Sequence, residues 1–245
     1  MNKVRTGDLI RVSMRLTFLQ STWCEGGMQS VGLAYCLMPG LRRIVTDKEE
    51  LKHAVVSHQE PFNTHPFLVG AIAGATLRLT EDGKNPKEIN SFIHNTMGPL
   101  AAIGDPFFRG ALPVFVAVTA SLAAILGGAV AGILTLLLLF NLVQIFVRFF
   151  GVFVGYRESM GMLTRVARWL SPTRSKALKT TAAAWAGAVL VFAAAKFGPA
   201  EPWWVPIVFA ACGIVAAFLL TKWERSRVYV MPVSLALCLI VEVLV

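Results

Sequence analysis

Residues 111–147 form an apolar run of about two membrane thicknesses that contains no charged residue, and three further runs follow at 181–197, 203–220 and 228–245. A helix needs ~20 mostly apolar residues to cross hydrocarbon, so the first run is long enough for two crossings and each later run for one. Gly127-Gly128 is the expected turn between the first two. Composition agrees: 56% of the 245 residues are hydrophobic and 15% charged, against about 45–50% and 25% in a soluble domain. The excess must face lipid, because a core of this size cannot enclose it and leave a wettable surface. The expected fold is an all-α polytopic membrane protein with amphipathic N-terminal helices, re-entrant or broken helices and about five transmembrane segments. It is read as one domain over 1–245, with an interfacial or cytoplasmic arm at 1–60 and a membrane-embedded part at 61–245.

The net charge of +9 comes from 23 Lys+Arg against 14 Asp+Glu, concentrated in the joints between apolar runs. That distribution suits phospholipid headgroups and gives no track for nucleic acid. Between Arg148 and Lys179 lie seven basic residues and one acid, Glu158, which predicts a cytoplasmic loop. The 198–202 joint carries only Glu201, and 222–227 is basic again, so the sides alternate and the C-terminus is expected in the periplasm. Trp203, Trp204, Trp223 and Tyr229 stand at run ends, where interfacial aromatics belong. Residues 1–12 lack the apolar core of a signal peptide, so insertion is expected to use the later runs.

The first hundred residues have a different texture. Leu16, Leu19, Trp23, Val31, Tyr35 and Met38 recur near the helical period across Gly26-Gly27. The spacing predicts an amphipathic helix over 15–38, at a membrane interface or in a globular cap. Residues 62–79 are apolar but short for a span, and 80–90 reads as a polar loop. Cys24, Cys36, Cys212 and Cys238 are scattered and read as packing residues. His53, His58 and His94 are expected in solvent, without metal spacing. No phosphate loop, nucleophile elbow or dinucleotide fingerprint is present, so neither catalysis nor a cofactor is expected of this chain.

Two polar clusters remain. Met97-Gly98-Pro99 and Gly104-Asp105-Pro106 put prolines, glycines and a carboxylate into an apolar stretch. Asp105 reads either as a ligand-site acid at membrane depth or as the cap of a helix starting at Pro106. Phe62-Asn63-Thr64-His65-Pro66 reads either as part of a sugar pocket or as a helix-entry turn.

These segments carry a resemblance. FLQSTW at 18–23 with Met28-Gln29, Pro39-Gly40 before Arg42-Arg43, EPFNTHPF at 60–67, MGPLAAIGDPFF at 97–108 and LFNLVQIFVRFFGVFVGYR at 139–157 occur in order. The run resembles the IID membrane subunits of mannose/fructose/sorbose-family sugar phosphotransferase permeases. The resemblance implies a bacterial inner-membrane subunit that pairs with IIC, in a trimeric assembly, to form a hexose translocation path. It implies that cytoplasmic IIA and IIB perform the phosphotransfer. Asn63, His65 and Asp105 are then expected near the sugar path, with Gln20 and Trp23 as further candidates. Cys24 stands where the family has asparagine, Gly27 where it has a basic residue, and Arg109 where it commonly has tryptophan. Those departures leave a second reading, an orphan IID with a regulatory or assembly role and no transport.

Overall fold

The computed structural model describes residues 2–58 and 60–197. Among them the elements are helical, apart from isolated bridges that pair Met28 with Cys24 and with Phe62. In order they are α1 (Thr6–Arg15), a 3-10 turn (Leu16–Thr22), α2 (Ser30–Ile44), α3 (Lys48–Ser57), α4 (Val69–Glu81), α5 (Pro86–Asp105), a π-turn (Pro106–Ala111), α6 (Leu112–Gly127), α7 (Ala129–Glu158), a short 3-10 turn (Ser159–Gly161), α8 (Met162–Trp169) and α9 (Pro172–Phe197). The described residues divide into two compact units, 2–116 with 136–179, and 117–135 with 180–197.

The first unit is built around α4. Val69, Ile72, Ala73, Ala75 and Leu77 are fully buried there. Its 13 residues rise only about 20 Å, short of the ~30 Å hydrocarbon layer. It is an interior helix wrapped by protein. Its contact with α7 is close because both helices place glycines four apart in the seam. A Cβ at Gly74 would lie 2.0 Å from the Val152 carbonyl oxygen, and one at Gly155 would lie 2.0 Å from that of Ala71. Without a hydrophobic drive between helices in lipid, such small-residue seams supply association through backbone-to-backbone packing.

α1 and α2 pack antiparallel, and Pro39 lies inside α2. Proline cannot donate to the carbonyl four residues earlier. That carbonyl, on Tyr35, instead accepts from the Arg15 guanidinium at 2.9 Å, and the same group lies over the Tyr35 ring.

In the second unit the expected turn is present. Gly128 adopts φ +85, a left-handed conformation that glycine takes without strain, between α6 and α7. Around it Leu126, Val130, Ile133 and Leu134 are exposed. Two helical stretches, Pro86–Gly127 and Ala129–Gly187, are long and apolar enough to cross a membrane, and only 22% and 6% of their most apolar windows are buried. A soluble core helix would be mostly covered, whereas these present their apolar surface outward.

Several expectations are corrected. Residues 15–38 do not form one amphipathic helix. The chain leaves α1 through the 3-10 turn, reverses over Gly26-Gly27 with Met28 at φ +54, and restarts at Ser30. Trp23, Val31 and Tyr35 are therefore exposed, while Leu33, Cys36, Leu37 and Leu41 form the buried face of α2. The polar loop shrinks to 82–85, because Asn85 accepts from the Lys87 amide and caps a helix with Pro86 in its first turn. The expected basic loop after Arg148 is mostly helical, since α7 continues to Glu158 and α8 and α9 follow. His58 is buried and Cys24 exposed, the reverse of both readings. The runs at 203–220 and 228–245, their joints and aromatics, Cys212 and Cys238 lie outside the described residues.

Candidate functional site

The site begins at the reversal over Gly26-Gly27. Gln29 and Phe62 are joined by a Gln29 amide to Phe62 carbonyl bond of 2.9 Å, which brings the 62–68 segment beside α2. The buried Gln29 side chain then brackets Thr64. Its amide nitrogen donates to the Thr64 carbonyl at 3.0 Å, and its oxygen accepts from the Thr64 amide at 3.1 Å. The Thr64 hydroxyl donates to the Met97 carbonyl on α5 at 2.7 Å. One side chain thus replaces the partner strand that an extended segment would otherwise require. Gln29→Leu is expected to strand two buried backbone groups and cost roughly 2–4 kcal/mol. Thermal melting of the detergent-purified protein checks this, and an unchanged midpoint would contradict it.

Held this way, His65 is 3% exposed. Its ring stacks on Phe108 at 4.9 Å and meets Phe67 edge-on at 5.0 Å. Phe67 in turn lies under the Arg148 guanidinium, 4.7 Å away. A Cβ at position 104 would sit 2.7 Å from the imidazole, so Gly104 is what lets α5 approach the ring. The segment lies outside both long apolar stretches, and burial pushes the imidazole down to about 4. Asp105 opposes that shift, while Arg109 and Arg148 reinforce it. His65 is therefore neutral near pH 7. Its Nδ1 accepts from the Phe67 amide at 3.3 Å, which leaves the ring proton on Nε2.

That Nε2 lies 3.8 Å from a carboxylate oxygen of Asp105, which is half exposed. Asp105 is not a cap. It has helical φ −60 and ψ −46 and makes no side-chain cap bond, because α5 runs directly into the π-turn. Pro106 brings no amide proton, and the turn widens so that the Leu112 amide bonds to the Phe107 carbonyl five residues back. The turn carries Phe108 onto His65 and places Arg109 Nε 3.5 Å from Asp105.

Of the expected site residues, His65 and Asp105 are thus neighbours. Asn63 is exposed at the start of the segment, and Gln20 and Trp23 are exposed on the 3-10 turn and its end. Those two are linked to the segment through the Cys24–Met28–Phe62 bridges. Gln29, Phe67, Phe108 and Arg148 were missed as members of this cluster. Arg148 had a legible signal, since an arginine inside an apolar run is expensive unless it has a local role. Its guanidinium also donates to the Leu16 carbonyl at 3.2 Å, tying α7 to the N-terminal arm.

At the other side of the segment, Glu60 accepts from Asn90 at 3.1 Å and contacts His94 at 2.7 Å. His58 lines a small void there with Leu33, Phe62 and Ile93. Burial pushes its imidazole down to about 4, against the pull of Glu60. The unfolded chain takes up this proton first, near pH 6.5. The stability that a neutral His58 supplies is therefore complete above pH 6.5 and is lost as pH falls toward 4. His58→Leu is expected to remove about 2 kcal/mol of that acid-side loss. Melting curves at pH 7 and pH 4.5 for both proteins give the difference. Equal acid sensitivity would sink the assignment.

Comparison with known proteins gives these features a family. The chain is 36% identical over 168 residues to the PTS system mannose-specific EIID component of Escherichia coli K12, covering 66% of this chain and 59% of that protein. It is 32% identical over 166 residues to the fructose permease IID component of Bacillus subtilis, covering 65% and 60%. The match thus spans about three fifths of the length of these curated relatives. A cryo-EM structure of the mannose transporter ManYZ with microcin E492 contains a chain of the same fold, with TM-score 0.61, 24% identity and coverage of 98% of this chain and 96% of that one. The family model for the PTS mannose/fructose/sorbose IID component matches residues 3–194. The chain belongs to that IID family.

Proposed function

We propose that this chain is the IID membrane subunit of a phosphoenolpyruvate-dependent sugar permease in the bacterial inner membrane. With IIC it forms the hexose translocation path, as a trimeric assembly, and cytoplasmic IIA and IIB phosphorylate the sugar. The chain itself does no phosphotransfer. Its C-terminus faces the periplasm.

One observation carries the reading to particular atoms. A neutral Nε2–H donor on His65 stands beside a half-exposed carboxylate acceptor on Asp105. A sugar hydroxyl both donates and accepts, so adjacent hydroxyls of a hexose match such a donor and acceptor pair. Packing by Phe67 and Phe108 holds the imidazole in place. Asn63, Gln20 and Trp23 are exposed, and we assign them an outer position on the path.

The test is sugar uptake by vesicles containing this chain, its cognate IIC and phosphorylated IIAB. Accumulation of a sugar phosphate that needs phosphoenolpyruvate, and is lost when this chain is omitted, supports transport. A stable complex with IIC that accumulates no hexose phosphate would instead favour the regulatory role.

A further inference from the structure

A second feature lies at the far end of the antiparallel α1/α2 pair. The start of α1 and the end of α2 enclose an open cavity of about 360 Å³ lined by Arg5, Arg11, Arg42, Arg43, Asp8 and Pro39. Four arginines and one aspartate thus line one space. That carboxylate is already engaged, since Asp8 accepts from the Arg5 amide at 3.1 Å and from Arg11 at 3.3 Å. The Nε of Arg43 is buried and has no hydrogen-bond partner. A buried donor left unpaired costs free energy, so the protein itself leaves part of the Arg43 fork without an acceptor. The N-terminus of α1 adds the positive end of a helix dipole to the same space.

We propose that this cavity binds the phosphate of an anionic glycerophospholipid. Phosphate offers several acceptor oxygens, which suits a cluster of arginines better than a single carboxylate does. The neighbouring surface favours a lipid source. Along α1 and the turn after it, Ile10, Met14 and Phe18 recur every four residues and are exposed, and Val31 and Tyr35 are exposed on α2. The cavity therefore ends a surface with apolar side chains on both helices, the combination of basic and apolar groups that interfacial helices present to anionic membranes. The inference adds a headgroup site to the membrane reading and is independent of the sugar pair.

The full chain is reconstituted in nanodiscs of phosphatidylcholine mixed with phosphatidylglycerol, then examined by native mass spectrometry for retained lipid. The wild type is expected to retain phosphatidylglycerol in preference to phosphatidylcholine. The double variant R5Q/R43Q is expected to reduce that retention about thirtyfold, and the exposed single change Arg42→Gln about fivefold. Arg42→Gln supplies the test if the double variant fails to fold. K48Q/K87Q removes the same charge elsewhere and is expected to retain the lipid. Equal retention by wild type and Arg42→Gln would overturn the proposal, as would equal loss in the two double variants. Binding of inorganic phosphate at the cavity without lipid retention would also overturn it, by assigning the site to a soluble anion.

Discussion

Gly155→Leu is expected to prevent recovery of a folded, monodisperse protein. The side chain would start 2.0 Å from the Ala71 carbonyl oxygen and 2.9 Å from the Ala75 amide nitrogen. Both obstacles are backbone, so no rotamer change relieves the clash, and α4 and α7 must separate. Separation would lift Arg148 from Phe67 and pull Tyr156 from Glu81, to which its hydroxyl donates at 2.7 Å. Overpacking a side chain commonly costs 1–3 kcal/mol, and a backbone-to-backbone seam leaves less room to relax, so the cost here is expected to exceed about 3 kcal/mol. Size-exclusion profiles and melting in detergent measure it. Gly98→Ala is the matching control, because a Cβ there meets nothing within 4 Å. Removing a helix-interior glycine there is expected to stabilise by up to about 1 kcal/mol. A Gly155→Leu protein that melts with the wild type would refute the account of the seam.

Asp105→Asn carries the second large effect, at least a tenfold fall in sugar uptake with membrane insertion and melting unchanged, since an ionised acceptor bond is worth about 1.5–3 kcal/mol. Asparagine preserves the shape, keeps one neutral acceptor oxygen and replaces the other with a donor. A hydroxyl held beside the His65 Nε2–H would then lose its charge-assisted acceptor and meet a weaker, neutral one. The fold is expected to tolerate the change because Asp105 is half exposed and caps nothing. Its contact with Arg109 is a partly exposed ion pair of small worth. Arg109→Gln separates the two roles: uptake that survives this change while failing in Asp105→Asn places the effect on the carboxylate. Full uptake by Asp105→Asn would remove Asp105 from the sugar path.

Local rules were enough where local chemistry decided the outcome. The turn at Gly128 followed from two adjacent glycines between apolar runs, and outward apolar surface on the two long helical stretches follows from the excess of hydrophobic residues. Local pattern failed where a distant group met the need. Nothing in the periodicity of 15–38 shows that Gln29 will serve as the partner of Thr64, 35 residues away. Nor does it show that Arg15 will satisfy the carbonyl that Pro39 leaves open. Asp105 followed by Pro106 matches a helix start equally well as it matches a π-turn, and backbone continuity with α5 decides between them. The basic residues after Arg148 suggested a loop because charge density was read without regard to facing. Arg148 itself is spent inside the first unit, over Phe67 and on the Leu16 carbonyl.

The π-turn has a consequence for phase. Thr96, Leu100, Gly104, Phe108, Leu112 and Val116 are all buried and follow one another at intervals of four. In a uniform α-helix each such interval overshoots a full revolution by about 40°. Five of them would carry the last residue about 200° around the axis, to the opposite side. The wider winding between Pro106 and Ala111 takes back much of that rotation. It works as a vernier that resets the count partway along. α5 and the start of α6 can then keep one seam facing the protein over a length at which a plain helix would have turned it toward lipid.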